Sequence, residues 1–445
     1  MADAVLLTAT ASTTVDEFCA AGGGQGLQRA LRVGPEQVID EVTWAGLRGR
    51  GGGGFPTGIK WRTVRDAACP TTYVVCNAAE GEPGTFKDRW LLRRNPYLVL
   101  EGLAVAAYAV GASRAFIATK AIFETENEAV ERAMDELADQ DLLGSVPIEL
   151  VRGPDAYLYG EETAMLEVLE GRAPLPRILP PYQVGLFARP RSSNPTAVNN
   201  VETLAHVALI ARDGGRRFHQ VGTDTSRGTM LFTLSGDVRR LGVYELPLGG
   251  SLAELIHDVG GGPPDDRDVK AVFPGASAAV IPGDQLDVPL DFDAMSAAGT
   301  GLGSGGFVVY DEDRCIVAAT AAFVRFLATG SCGQCPACEQ GALTIMFALE
   351  DIERGDGTQD HLQLIRRRFR SVTGGARCGL PVGTSAITGS ALDVFGAEFE
   401  RHLGRRCSSS RRLAPPRLVG SDEAAAGFVI DERPAVRDQD VAGVG

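Results

Sequence analysis

Positive charge is in short supply in this chain. Acidic residues outnumber basic ones 57 to 43, a formal net charge of −14, which argues against nucleic-acid binding, because phosphate contacts require a basic face. No apolar run is clean enough for direct membrane insertion. The greasiest stretch, Leu98–Ala118, carries Glu101 and Arg114 and is expected to be a buried helix. The opening MADAVLLTATAS has no basic n-region and too short an apolar run for a signal peptide. Nine cysteines, an odd number, form no evident disulfide framework. Free thiols of this kind point to a reducing, cytoplasmic setting. There is no internal repeat, and 445 residues exceed one ordinary core, so about two to four domains are expected.

What is present begins with sulfur. Cys332, Cys335 and Cys338 stand as C-x-x-C-x-x-C in SCGQCPACEQG, and Cys378 follows alone. Three thiolates at i, i+3 and i+6 with a fourth brought in by the fold match the way a cubane iron–sulfur cluster is held. A structural zinc more often shows two separated pairs, and plain buried thiols are the bland alternative. The division three plus one favours the cluster.

A second dense segment is GLRGRGGGGFPTGIKW (46–61). Gly49, Gly51 and Gly54 formally satisfy G-x-G-x-x-G, but the segment follows a helical pattern where a dinucleotide fingerprint needs a strand, and no G-K-[ST] closes a Walker loop. Consecutive glycines still let backbone N–H groups approach a phosphate or flat ring. Arg48, Arg50 and Lys60 offer charge, and Phe55 and Trp61 offer flat faces. A nucleotide or flavin cradle accounts for these residues better than a flexible linker does. Two acidic pairs, Glu80/Glu82 and Glu161/Glu162, sit in glycine-bearing segments, as solvated turns or as acceptors for a bound nucleotide.

Strands at Tyr73–Asn77, Ala115–Thr119 and Ile148–Val151 alternate with helices at Pro35–Ala45, Leu91–Val110 and Glu126–Leu137, which predicts an α/β domain with a largely parallel sheet. Past Gly222 the texture turns β-rich (Thr229–Ser235, Val243–Leu246, Val269–Phe273), with Ser251–Glu254 as a capping box before a short helix. This suits a small β-grasp-like module. From Arg314 the pattern is helical, and Ile387, Ala391, Phe395, Phe399 and Leu403 mark one face of a bundle. The expected layout is a flavin/dinucleotide α/β domain over 1–225, a β-grasp-like domain over 226–292, a cluster-bearing helical bundle over 293–405 and a tail with little core over 406–445.

GLRGRGGGGFPTGIKW, NAAEGEPGTFKDR, YGEET, NPTAVNNVET, LGSGG and SCGQCPACEQG, in this order, resemble one family: the NADH-binding flavoprotein subunit of respiratory complex I, with the diaphorase subunits of NAD-reducing hydrogenases and formate dehydrogenases. The resemblance spans roughly residues 20–403. It implies an NADH dehydrogenase-like oxidoreductase carrying FMN and one [4Fe–4S] cluster, passing electrons on to a partner iron–sulfur protein. By position, it implies that Gly49, Arg50, Gly51 and Lys60 line the FMN, completed by Asn77, Glu80, Gly160, Glu161, Asn199 and Asn200. It places Phe55 and Tyr182 against NADH, with Glu82 and Glu162 as the candidate catalytic carboxylates. Cys332, Cys335, Cys338 and Cys378 would ligate the cluster, leaving Cys19, Cys69, Cys76, Cys315 and Cys407 as ordinary thiols.

Three positions depart from the family pattern: Ala79 where an aspartate is usual, Leu179 where a lysine is usual, and Thr63 where an aromatic is common. Two of the three fall in the dinucleotide half of the site. They motivate a second reading, the same cofactors serving another donor or acceptor in a specialised pathway. A third reading, an assembly subunit without turnover, is opposed by the retained cysteines.

Overall fold

A computed structural model describes residues 5–7, 11–406, 416–422 and 427–431. The first body contains helices α1 (Val15–Ala20), α2 (Gln25–Val33), α3 (Pro35–Ala45) and α4 (Thr57–Asp66), then β1 (Tyr73–Ala78), α5 (Lys87–Arg94), α6 (Pro96–Val110), β2 (Arg114–Lys120), α7 (Glu124–Asp139), β3 (Ile148–Gly153), α8 (Glu162–Leu169), β4 (Thr196–Asn200), α9 (Val201–Asp213) and α10 (Gly215–His219). Its sheet is parallel throughout in the order β3-β2-β1-β4. The order reverses between β1 and β4. Ligands of open α/β sheets bind at such a reversal, outside the carboxyl ends of the strands.

The helix expected over Leu91–Val110 is two helices. Pro96 cannot donate to the preceding turn, so α5 stops and Asn95 starts α6 by accepting from Leu98 N at 3.1 Å. Almost all of α6 is buried, as expected for Leu98–Ala118, but the helix ends at Val110 and the stretch continues into β2. Its acid has a function: Glu101 Oε1 accepts from Leu27 N (3.0 Å) at the start of α2. Opposite, α9 packs so closely that a Cβ on Gly102 would lie 1.9 Å from the Leu204 carbonyl.

The second sheet holds β5 (Thr229–Gly236), β6 (Gly242–Pro247), β7 (Val269–Phe273), β8 (Ile281–Pro282) and β9 (Gly306–Asp311) in the order β6-β5-β9-β7-β8. Only β5 and β9 run parallel. Because β9 lies in the middle of this sheet, the sheet extends past the expected limit at residue 292. The Ser251/Glu254 capping box forms, with Glu254 N on Ser251 Oγ at 3.1 Å and Ser251 N on Glu254 Oε2 at 2.9 Å. A short helix, α11 (Phe292–Ala297), precedes β9.

Helices α12 (Ile316–Thr329), α13 (Pro336–Arg354), α14 (Gln359–Phe369), α15 (Leu380–Val394) and α16 (Gly396–Arg401) form the third body. Ile387, Ala391 and Phe399 of the expected stripe are fully buried, although the helix is interrupted at Phe395. The tail expected to have little core holds a strand pair in its described part. β10 (Arg417–Asp422) and β11 (Gly427–Asp431) pair antiparallel, docked by Gly84 N on the Pro416 carbonyl (3.2 Å) and Arg89 Nη1 on the Leu418 carbonyl (3.1 Å). Cys407 and the rest of the tail lie outside the described residues.

Candidate cofactor site

The glycine-rich segment is a closed loop between α3 and α4. Gly49 N donates to Phe55 O and Thr57 N to Leu47 O, both at 2.9 Å, and Arg48 Nε donates to Gly54 O at 2.7 Å. Those bonds exclude a loose linker. The apex, Gly51–Gly53, is exposed, and a Cβ on Gly53 would meet nothing within 4 Å. A Cβ on Gly51 would stand 3.0 Å from Asn200 Cβ. Open backbone on one face and a tight neighbour on the other make a cradle that a side chain would fill.

The loop stands over the sheet reversal. Asn77, one residue before the end of β1, pairs with Asn200, which ends β4. Asn77 Nδ2 donates to the Gly160 carbonyl (2.7 Å), and a Cβ on Gly160 would come within 3.1 Å of the Ala79 carbonyl. Asn199 Oδ1 accepts from buried Trp61 Nε1 (2.9 Å). Lys60 Nζ bridges Val198 O (3.1 Å) and Glu162 Oε2 (3.2 Å). Gly51, Lys60, Asn77, Gly160, Glu162, Asn199 and Asn200 are thus linked by contacts near the carboxyl ends of β1 and β4, where backbone N–H groups and one lysine would suit the phosphate and ring of FMN.

Four expected residues make contacts within the chain. Arg50 turns its guanidinium inward, fully buried, onto Arg227 O (2.7 Å) and Thr229 O (3.0 Å). Burial lowers its pKa to about 10, so it stays a cation at neutral pH with its charge held on these carbonyls, while its backbone N donates to Thr203 Oγ1 at 2.9 Å. Glu80 caps α5, accepting from Asp88 N (3.0 Å) and Arg89 N (3.1 Å); burial, then repulsion from Asp88, raises its pKa to about 7. Glu161 caps α8 through Ala164 N (2.8 Å) and Thr163 N (3.1 Å). Glu82 accepts from Tyr157 OH (2.8 Å) and Ala276 N (2.6 Å), tying the first body to the second sheet. Phe55, Leu179 and Tyr182 are exposed at 52%, 50% and 42%, solvent-facing surfaces with no ring partner among the described residues.

Beneath the cradle lies a buried charge network that motif reading passed over. Lys87 Nζ is 2.7 Å from both Asp88 Oδ1 and Glu202 Oε2. Asp88 Oδ2 takes Asn200 Nδ2 at 2.5 Å, and Asn200 Oδ1 accepts from Glu202 N at 2.9 Å. Burial pushes Glu202 upward, but Lys87, then His206 and Arg50, outweigh it and hold its pKa down to about 2. The signal was present in TFKDR and NNVET, where charges sit beside apolar residues.

On the other side of the Tyr157–Glu162 turn lie the cysteines. Cys338 is buried and Cys332, Cys335 and Cys378 are half-buried. Ser331 Oγ is 3.7 Å from Cys338 Sγ, and Gln334 Nε2 donates to Cys332 Sγ at 3.5 Å. Burial, then Glu161, Cys332 and Cys338, raises the Cys378 thiol to about 11. The four thiols therefore feel one another, yet among the described residues no three ligand side chains close round a single ion. Four sulfur donors with no nitrogen or oxygen ligand among them fit an iron–sulfur cubane. A cavity of about 500 Å³ runs from Glu80 and Glu82 past Tyr157 to Cys332; the glycine loop, Lys60 and Asn200 do not line it, so it is distinct from the cradle.

Two family descriptions match the chain: Nuo51 FMN-binding domain over residues 42–209 and NADH-ubiquinone oxidoreductase-F iron-sulfur binding region over residues 318–402. An NADH-quinone oxidoreductase subunit of Rhizobium meliloti (strain 1021) is 43% identical over 401 residues, covering 87% of this chain and 94% of that one. NADP-reducing hydrogenase subunit HndC of Solidesulfovibrio fructosivorans is 37% identical over 401 residues, covering 88% and 81%. A chain of the NAD+-reducing [NiFe]-hydrogenase in the H2-reduced state superposes with a TM-score of 0.79 at 34% identity, over 90% of this chain and 67% of that one. In the air-oxidized state the TM-score is 0.77 at 35% identity, over 84% and 64%. The present chain thus spans about two thirds of those hydrogenase chains.

Proposed function

This chain belongs to the NADH-quinone oxidoreductase-F family, and from that premise we propose how its residues divide the work. The activity is electron transfer from NADH through FMN to a [4Fe–4S] cluster. When bound, FMN supplies the conversion of a two-electron donor into single electrons. The glycine loop, Lys60, Asn77, Gly160, Asn199 and Asn200 hold and orient it. Arg50, Glu80 and Glu161 support that site from behind through the bonds described above. Phe55, Tyr182 and Glu162 face the dinucleotide, and Glu82 with Tyr157 stands between donor site and cluster. Cys332, Cys335, Cys338 and Cys378 carry the cluster. The three bodies then read as a flavin domain to about residue 225, a β-grasp-like domain extending through β9, and a cluster bundle. Among the described residues no helix is long and apolar enough to cross a membrane. The relatives are subunits of larger assemblies, and we take this chain to act in the same way, with an iron–sulfur protein as its acceptor.

One observation carries the assignment. The turn Tyr157–Glu162 touches the cradle through Gly160 and Asn77, while its Tyr157 packs on Phe326 (4.9 Å between centroids) and its Glu161 acts on Cys378. A single short segment joins the two cofactor sites. The test is an anaerobic absorption spectrum before and after NADH. Flavin bleaching is the expected result. A flavin reduced by dithionite but by neither NADH nor NADPH overturns the donor and favours the second reading. That reading is motivated by Ala79, Thr63 and exposed Leu179.

A further inference from the structure

The surface around the fourth cysteine differs in charge from the rest of the molecule. In a chain of net charge −14, Arg366, Arg367, Arg368, Arg370 and Arg377 fall on or just after α14, and all five are exposed. Arg325 and Arg354 of the neighbouring helices pair with acids; among the described residues these five guanidinium groups have no carboxylate within ion-pair distance. The turn that carries them onward lies over the start of α13. Val372 is buried there, with its Cγ2 3.0 Å from where a Gly341 Cβ would sit, and Gly374 faces Ala337. The turn therefore runs beside Cys338 before delivering Cys378.

Arg377 is linked to one of the cysteines through Gln334. Its Nη1 donates to Gln334 Oε1 (3.0 Å), and Gln334 Nε2 donates to Cys332 Sγ (3.5 Å). Two hydrogen bonds thus join a surface charge to a sulfur ligand. Val382, one turn past Cys378, is an exposed apolar side chain at 52%. Arginines in the last turn of α14 also answer its dipole, but that does not explain Arg377 or the missing carboxylates.

We propose that this face is the electron-exit docking surface, and that its partner is a one-electron acceptor protein presenting carboxylates around its own redox centre. The inference rests on the assignment of the four cysteines to the cluster. One electron leaves the reduced cluster and the acceptor gains it; no bond or proton moves. A compact acidic face covers the patch alone, whereas a membrane or nucleic acid would also meet the negative charge of the surrounding chain.

The test uses full-length holoprotein reduced anaerobically with dithionite, so it does not depend on NADH. Stopped-flow reduction of acidic cytochrome b5 and of basic cytochrome c is followed over a salt series. Cytochrome b5 should react faster at low salt, and Arg366→Glu/Arg367→Glu/Arg370→Glu should slow it about 10-fold or more without slowing cytochrome c. The matching Arg→Gln triple variant, which spares the helix end a negative charge, should lie between. Unchanged cytochrome b5 rates in both variants, with iron, sulfide and flavin intact, overturn the docking surface. It is also overturned if the variants instead abolish binding to vesicles of equal phosphatidylcholine and phosphatidylserine, or to duplex DNA, at unaltered cytochrome b5 rates. Wild-type protein without iron and sulfide would refute the cluster assignment itself.

Discussion

Lys87→Met should be among the most damaging single substitutions outside the cofactor contacts. Lys87 stands 2.7 Å from two carboxylate oxygens, with side-chain exposures of 0% for Lys87, 6% for Asp88 and 0% for Glu202. Methionine fills much of the same volume, so the loss is electrostatic. Removing one partner of a buried ion pair costs about 3–5 kcal/mol. Burial already raises the Asp88 pKa with the lysine present, and without Lys87 it must rise further. A carboxyl whose folded pKa is raised binds its proton more tightly folded than unfolded. The penalty is therefore absent below the unfolded pKa and grows as pH rises through the folded one. The variant should lose more stability at pH 8 than at pH 5, and Lys87→Met/Glu202→Gln should recover part of the loss. Flavin should also be held more loosely, because Lys87 Nζ lies 3.5 Å from Asn200 Oδ1 and shares Asp88 with its amide. Urea unfolding at both pH values, followed by circular dichroism and by flavin fluorescence, measures each effect. A variant within about 1 kcal/mol of wild type at pH 8, with full flavin, would refute the view that this network supports the cradle.

Four further outcomes are expected. Gly51→Val places a β-branched side chain against Asn200, 3.0 Å from its Cβ, and the purified variant should lose its yellow absorbance; full FMN occupancy would place the cofactor elsewhere. Cys338→Ser should sharply lower bound iron and acid-labile sulfide while flavin remains, and zinc in the wild type without sulfide would contradict the cluster. Glu80 is raised to about 7 by burial and by Asp88, so wild-type stability should fall as pH rises from its ordinary range near 4.5 through 7. Glu80→Gln, which still accepts from α5, should flatten that slope in a pH series of unfolding midpoints. Leu179→Lys should tighten NADH up to ~10-fold, about 1.4 kcal/mol, with little change in the limiting rate of flavin reduction, since a remote cation acts about equally on ground and transition states; stopped-flow fits separate the two.

Much of this site is legible in the sequence because its chemistry depends on local spacing. C-x-x-C-x-x-C announces a multi-thiolate ligand within one helical turn and its approach, and the glycine run announces exposed backbone. Periodicity found β1, β2 and β3, but it missed β4, whose Thr196–Asn200 is short and ends in two asparagines. That strand creates the sheet reversal on which the crevice depends. β9 was missed for a related reason: a fully buried central strand shows no alternation.

Long-range pairing accounts for the rest. Arg50 looked like a phosphate ligand because arginine beside glycine usually is one, yet its partners are carbonyls of Arg227 and Thr229, more than 170 residues away. Glu80 and Glu161 read as ligand acceptors and are helix caps in the structure, a use that spacing alone cannot distinguish because both need a carboxylate before a helix. These acids fix the backbone at the starts of α5 and α8. The Tyr157–Glu162 turn shows why this matters. Glu161 holds α8, α8 holds Glu162 against Lys60, and the same turn leans on the cluster helices through Tyr157. A displaced cap would therefore be felt at the flavin and at the cluster together, which no motif read singly reveals.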